Sequence, residues 1–324
     1  MTTIGTVGLG LIGGSIALAA ARAGHPVVAW DPDPETCEQA RQLGLTITED
    51  FSDAGLIVLA SPMPALTEGL TATLASVRVS DTALITDVGS VKQPVAEAMR
   101  SAGLAQRYIG GHPMAGSERT GFTAATPDLF TGARWVLCLH DDNSDGNADD
   151  AAEVRRWLHV AALITDLGAG VVPMSAAEHD AAMALVSGVP HLLALALARA
   201  AEVSGPAIQT LAAGSFTDLT RVASSSPTLL HAVTEGNAPA LRSALRLVLN
   251  QLDQPWPDLI EHGHAARHRA LDRSGGGQPP GGCETVTVSG ARGLLELGRA
   301  GAVIETVDPI AGVVGYRRPP RGQP

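Results

Sequence analysis

The chain has 324 residues, of which 45% are apolar, 17% charged and only 3% aromatic. That length suits two domains with sizeable cores. The formal net charge of −11, with no basic patch or arginine-rich stripe, argues against a nucleic-acid partner. Three widely separated cysteines, Cys37, Cys138 and Cys283, fit a reducing compartment better than a disulfide framework. No basic stretch precedes the first apolar run, so no secretory signal is expected. Glycines, polar residues or charges interrupt the most apolar windows, so neither a transmembrane helix nor a membrane partner is expected. A cytoplasmic location is the resulting expectation.

Thr3-Ile4-Gly5-Thr6-Val7 reads as a short strand that runs into Gly8-Leu9-Gly10-Leu11-Ile12-Gly13. An alanine-rich helix over 14–23 and a second strand over 25–30 follow, closed by Asp31. Strand, G-x-G-x-x-G, helix, strand and acid in this order form the dinucleotide fingerprint. Gly8 makes the tight turn, Gly10 admits the pyrophosphate to the backbone, and Gly13 lets helix and strand pack. The anion then lies on a helix N-terminus. Asp31 is placed for the adenosine ribose hydroxyls and repels a 2′-phosphate, so NAD is favoured over NADP. The cofactor-contacting stretch is Gly8, Leu9, Gly10, Leu11, Ile12 and Gly13, with Asp31.

The apolar run 56–60 has the composition of a buried parallel strand. It ends at Ser61, a cofactor neighbour or a simple helix cap. A helix is expected over 63–77, a strand over 83–86 and a helix over 91–102. Ser90 stands at the turn between the last two. A strand at Tyr108-Ile109 delivers His112, on a loop between Gly110-Gly111 and Pro113. Loops at the carboxyl ends of such strands face the ligand crevice, so Ser90 and His112 converge there. Further elements are a strand over 134–139, an acidic surface turn over 141–150, a helix over 151–164 and a last strand over 170–174.

From Ser175 the pattern changes. Ser175-Ala176-Ala177-Glu178 resembles a capping box, and long alanine- and leucine-rich segments run to 272 with few strand signals. The expected class is therefore α/β: a Rossmann-type doubly wound sheet over 1–174, an all-helical domain over 175–272, a glycine–proline linker over 273–283 and a short α+β tail over 284–324, partly disordered from Tyr316. The aliphatic helices carry enough apolar surface for a subunit interface, so a homodimer through this domain is expected. His191 follows Pro190 at a helix start. Arg221 either serves a substrate carboxylate or pairs with Asp218 three residues earlier. His264 and His268 have the spacing of helical zinc ligands, but Ala265 stands where H-E-x-x-H has its glutamate. They read as a solvated helix end, and no metal site is expected.

Five motifs together resemble the prephenate/arogenate dehydrogenase family over residues 3–272. They are V-G-L-G-L-I-G-G-S (7–15), T-D-V-G-S-V-K (86–92), G-G-H-P-M-A-G-S-E (110–118), P-H (190–191) and T-R-V-A-S (220–224). The resemblance implies a small-molecule substrate, prephenate or arogenate, oxidised by NAD⁺ and decarboxylated. It implies His112 as general base, Ser90 as its hydrogen-bond partner, and Arg221 and His191 as substrate ligands. Glu118 corresponds to a carboxylate near the site mouth. In the family a histidine often stands three residues before the one at 191; here that position is Gly188, which leaves the substrate preference open. The tail resembles an abridged ACT regulatory domain, which implies feedback inhibition by tyrosine. Two readings compete. A 3-hydroxyacid-type dehydrogenase needs a lysine in the helical domain, and none follows Lys92. A non-catalytic NAD-binding sensor would not need His112.

Overall fold

In the strand Ala54–Leu59, Leu56 and Val58 are buried in one apolar cluster and Ile57 and Leu59 in another. Both faces are therefore covered, as a parallel strand between two layers requires. The computed structural model describes residues 2–117, 119–140, 148–274 and 283–319. It divides into two units, Met1–Ala176 with Gly276–Pro324, and Ala177–Gly275.

The first unit is built on six parallel strands: β1 (Thr3–Val7), β2 (Val27–Trp30), β3 (Thr46–Ile47), β4 (Ala54–Leu59), β5 (Leu84–Asp87) and β6 (Tyr108–Ile109). Their spatial order is β3-β2-β1-β4-β5-β6, and every pair is parallel. The order reverses between β1 and β4, which opens a crevice at their carboxyl ends, the usual ligand position in such sheets. Helix α1 (Leu11–Arg22) follows β1, α2 (Pro34–Gln42) follows β2, and α3 (Gln93–Ser101) follows β5. The single helix expected over 63–77 is broken into Met63–Leu66 and Leu70–Ala75. Gly69 permits the break, because a Cβ there would lie 3.1 Å from Ala65 Cα.

The chain then leaves this sheet and starts a second one. It contains β7 (Gly111–Met114), β8 (Arg134–Leu139), β9 (Gly170–Ser175), β10 (Glu284–Thr287), β11 (Val303–Asp308) and β12 (Val313–Arg317), in the order β10-β12-β11-β9-β8-β7. Strands β8 and β9 are parallel and joined by helix α4 (Ala148–Asp166), and β7 runs antiparallel to β8. His112 is thus not on a loop, as expected, but on an edge strand paired with Val136.

The tail also departs from expectation. It is no separate piece: Ile304 pairs with Val171 of β9, and Leu294, Leu295, Ile304, Val314 and Tyr316 are buried in the same cluster as Trp135 and Trp157. Each such apolar side chain contributes about 1.5–3 kcal/mol when fully buried, which the sequence of a short tail does not reveal. Asp150 of α4 adds a polar tie by accepting 2.9 Å from the Ala291 N–H at the start of helix Ala291–Arg299. Tyr316, expected to begin a disordered end, is 5% exposed within β12. The disorder expected beyond it falls partly on 320–324, outside the described residues, as do 141–147 of the acidic turn and 275–282 of the linker.

The second unit is helical. Ala176–Val203 is one long helix of 28 residues with a mean hydropathy of 1.9 over its most apolar window. By length and composition it reaches what a membrane span needs, although no such segment was expected. Gly188 and Pro190 do not end the helix, because the chain widens into a π turn at Ala184–Gly188 and continues as Val189–Val203. A π turn absorbs one extra residue, which accommodates the proline's missing N–H. A Cβ at Gly188 would lie 2.7 Å from Leu241 Cδ1, so helix Ala238–Leu252 packs on the π turn through that glycine.

One buried carboxylate joins the two sheets of the first unit. Asp87, at the end of β5, is fully buried and accepts from Gly89 N–H (2.8 Å), Tyr108 O–H (2.7 Å) and Gly111 N–H (3.2 Å). Lys92, also fully buried, forms a salt bridge to the same carboxylate and donates to Gly111 O at 2.6 Å. Removing one partner of a buried pair leaves a charge without compensation and costs about 3–5 kcal/mol. Lys92→Met is therefore expected to lower the unfolding free energy by about that amount in urea titrations. Lys92→Met combined with Asp87→Asn should recover part of the loss; a double variant less stable than the single one would contradict the pairing.

A second pair is pH-dependent. His140 donates from its backbone N–H (2.8 Å) and from Nδ1 (2.6 Å) to the Glu153 carboxylate. That hydrogen bond raises the His140 pKa above its ordinary value, against the opposing effect of burial. A pKa raised on folding stabilises the folded state fully below the unfolded value of about 6.5, and the gain fades as pH rises through the folded value. The Tm difference between the wild type and His140→Gln should therefore be largest in mildly acidic buffer and shrink as pH rises. A difference that grows with pH would refute this sign.

Candidate functional site

The three glycines of the first turn are glycine for different reasons. Gly8 has φ +91°, and a Cβ on it would lie 2.7 Å from Ala60 O; one on Gly13 would lie 1.9 Å from Gly8 O. Both are required by the fold itself. At Gly10 a Cβ would meet nothing within 4 Å. The protein has no packing reason for that glycine, so it leaves open space at the helix end. Gly10 is the N-cap of α1 and no side chain caps the helix; Gly14 N–H is the donor that reaches Gly10 O. The preceding first-turn amides of Leu11, Ile12 and Gly13 therefore belong to a helix end suited to an anion. A pyrophosphate fits here on the geometry of the chain alone.

Leu9 differs from its neighbours. Its side chain is fully buried in the core, and its N–H donates 2.7 Å to Asp31 Oδ2. The Asp31 carboxylate also accepts from Asp33 N–H through Oδ1 at 2.9 Å. Asp31 thus ties the end of β2 to the glycine turn and keeps its remaining lone pairs for hydroxyl donors. Ser61 lies just beyond β4, where its backbone passes the glycine turn: a Cβ on Gly8 would be 3.2 Å from Ser61 N.

Ser90 and His112 are held from beneath by the Asp87 cluster. Gly89, whose N–H binds Asp87, precedes the half-buried Ser90. The peptide of Gly111 is fixed at both ends, its N–H by Asp87 and its O by Lys92, and the half-buried His112 follows directly. A Cβ on Gly111 would lie 2.7 Å from Asp87 O and 3.0 Å from Trp135 Nε1, so only glycine lets the chain cross between sheets here. Asp87, Tyr108 and Lys92 were not singled out by reading the sequence. One signal was present: the chain's only lysine stands in an apolar stretch.

The second unit brings His191 and the Arg221 segment together. His191 Nδ1–H donates 2.8 Å to the Ser187 carbonyl in the π turn, which fixes the tautomer because a carbonyl only accepts. Its Nε2 is left 3.5 Å from Ser225 Oγ. Arg221 opens the turn Arg221–Ser224, which packs against helix Val189–Val203. Its side chain is exposed, and the alternative ion pair with Asp218 does not form. Glu118 lies outside the described residues. Among the described residues, no group of three or more His, Cys, Asp or Glu is arranged to hold a metal ion.

Comparison with known proteins places this geometry. Residues 16–164 match the nucleotide-binding domain of prephenate dehydrogenase, and residues 175–265 match its dimerization domain. A prephenate dehydrogenase of Bacillus subtilis is 35% identical over 241 residues, which are 70% of this chain and 62% of that protein; the chain thus spans less than two thirds of that relative's length. The crystal structure of an arogenate dehydrogenase from Synechocystis is 30% identical, with a TM-score of 0.68 over 83% of this chain and 99% of the other. A prephenate dehydrogenase from Aquifex aeolicus, solved with hydroxyphenyl propionate and NAD⁺, is 25% identical, with a TM-score of 0.68 over 84% and 98%. Two consecutive domains are matched in order over most of its length, and the chain belongs to the prephenate dehydrogenase family.

Proposed function

We propose that the chain catalyses NAD-dependent oxidative decarboxylation of prephenate to 4-hydroxyphenylpyruvate, a step of tyrosine biosynthesis. The observation that supports this reading is the clamped Gly111 peptide, held by Asp87 and Lys92 on either side of Ser90 in the chain and followed directly by His112. NAD⁺ supplies the hydride acceptor when bound, and the open cradle at Gly10 and the Asp31 carboxylate fit it. His112 takes the proton of the ring hydroxyl as hydride leaves the same carbon, a task imidazole suits near neutral pH. Ser90 orients that hydroxyl. Arg221, without an ion-pair partner among the described residues, binds a substrate carboxylate through its planar fork. His191 presents Nε2 to the ring end. Loss of CO₂ leaves its electron pair on the ring oxygen, which takes a proton back from His112 to give the phenol; aromatisation drives the step, so no metal is required.

A second reading, arogenate dehydrogenase, is supported by the likeness to the Synechocystis enzyme, while Gly188 leaves the substrate preference open. The substrates differ only as keto and amino acid. Purified protein given NAD⁺ with each substrate in parallel should form NADH faster with prephenate; the reverse preference would select arogenate, and no turnover of either would sink both. His112→Asn should lower kcat about 10²–10⁴-fold with little change in NAD⁺ affinity. Unchanged kcat would remove the base and favour a binding role.

We also read the chain as a cytoplasmic homodimer. Three cysteines far apart in the chain, Cys37, Cys138 and Cys283, accord with a reducing compartment. The second unit exposes Val186, Leu211, Leu219, Trp256 and Ile260 at 58% or more, in the stretch that matches a dimerization domain, and a second copy would cover such a surface. Light scattering at micromolar concentration should give twice the chain mass, and a monomer there would contradict this.

A further inference from the structure

The last helix of the second unit, Trp256–Ser274, carries His264 and His268 one turn apart. Their Nε2 atoms face each other at 3.1 Å, with ring centroids 4.4 Å apart and planes at 57°. Both side chains stand on an exposed helix face, and among the described residues neither imidazole pairs with a carboxylate. Two nitrogens bound to one divalent cation at about 2.0–2.1 Å, with an angle of roughly 90–110° between the bonds, lie about 2.9–3.4 Å apart. The observed spacing falls inside that window.

We propose that His264 and His268 form a preorganised bidentate site for a divalent transition-metal cation. Each ring coordinates through the lone pair of Nε2. Imidazole nitrogen selects the late first-row ions over magnesium and calcium, which take oxygen ligands. Among the described residues no third ligand completes a group, so water fills the remaining positions. The bound ion links residues 264 and 268 across one helical turn and so fastens this part of the helix. The missing glutamate of H-E-x-x-H argues against a hydrolytic zinc centre, but it does not bear on a chelate that needs only the two rings. Glu261, one turn earlier on the same face, adds favourable charge; Arg267 and Arg269 add the opposite.

The test uses the full-length chain without an affinity tag. Cu²⁺, Ni²⁺, Zn²⁺, Mn²⁺ and Mg²⁺ are titrated by calorimetry, with thermal melting followed in parallel. One strong site per chain is expected, with affinity falling from Cu²⁺ through Ni²⁺ and Zn²⁺ to Mn²⁺, and a rise in Tm with the bound ion. His264→Ala and His268→Ala should each weaken Zn²⁺ binding at least about tenfold, which is 1.4 kcal/mol, and the double variant should lose the site. Alanine is favourable at a helical position, so these variants stay folded, and their melting curves without metal verify it. His262→Ala, on the same helix, should bind as the wild type does. Equal binding by wild type and double variant, or an equal loss from His262→Ala, would overturn the assignment and leave only scattered surface histidines.

Discussion

The buried Asp87 carboxylate constrains the first unit more than any other group. Four donors converge on it: two backbone amides, one phenol and one ammonium. A charge removed from water is tolerable only when such donors replace the solvent, so the four are fixed as a set. They come from the turn after β5 (Gly89), the N-cap of α3 (Lys92), β6 (Tyr108) and the first residue of β7 (Gly111). The carboxylate therefore sets the angle at which the chain leaves the parallel sheet and enters the mixed one. A buried ion pair adds little net stability compared with apolar packing. Its contribution here is geometric, since it dictates where the residue after Gly111 must stand, and that residue is His112.

The same economy governs the glycine turn. Asp31 uses one oxygen to hold Leu9 N–H and the other to hold Asp33 N–H, which draws the end of β2 onto the turn before any ligand arrives. The helix end is thus shaped in advance, and binding an anion there requires little ordering of the chain. Of the three fingerprint glycines, two answer to the protein's own backbone and only Gly10 answers to something outside it. That distinction separates a turn built merely to be tight from one built to be approached.

Much of this was legible in the sequence because it is local. Strand, glycine turn, helix and acid follow one another within about thirty residues, the scale on which a βαβ unit is specified. What was not legible depends on distant partners. His112 reads as a loop residue because its neighbours are Gly110, Gly111 and Pro113, and only pairing with Val136 makes it a strand. Lys92 reads as an ordinary helix-flanking lysine until Asp87 and Gly111 O are seen around it. Tyr316 reads as part of a frayed end, yet it is buried in the same cluster as Trp135 and Trp157, more than a hundred positions earlier. The helix through Gly188 and Pro190 was expected to start afresh at 191, since nothing local announces a π turn.

That π turn bears on the residue missing from the family pattern. A histidine at 188 would place its Cβ 2.7 Å from Leu241 Cδ1, so this chain has filled with a leucine the space such a side chain needs. The leucine tip is the mobile end of a flexible group and could yield, but at the cost of packing among Val189, Ala184 and Ala244, its buried neighbours. Glycine and leucine thus form a matched pair, and exchanging Gly188 alone would overfill the turn. The turn also supplies the Ser187 carbonyl that sets the tautomer of His191. A change at 188 therefore reaches the proposed substrate end indirectly, through the orientation of His191, as well as by removing any direct contact of its own. The helix packing around residues 184–191 therefore bears on the orientation of His191 as much as the side chain at 188 does.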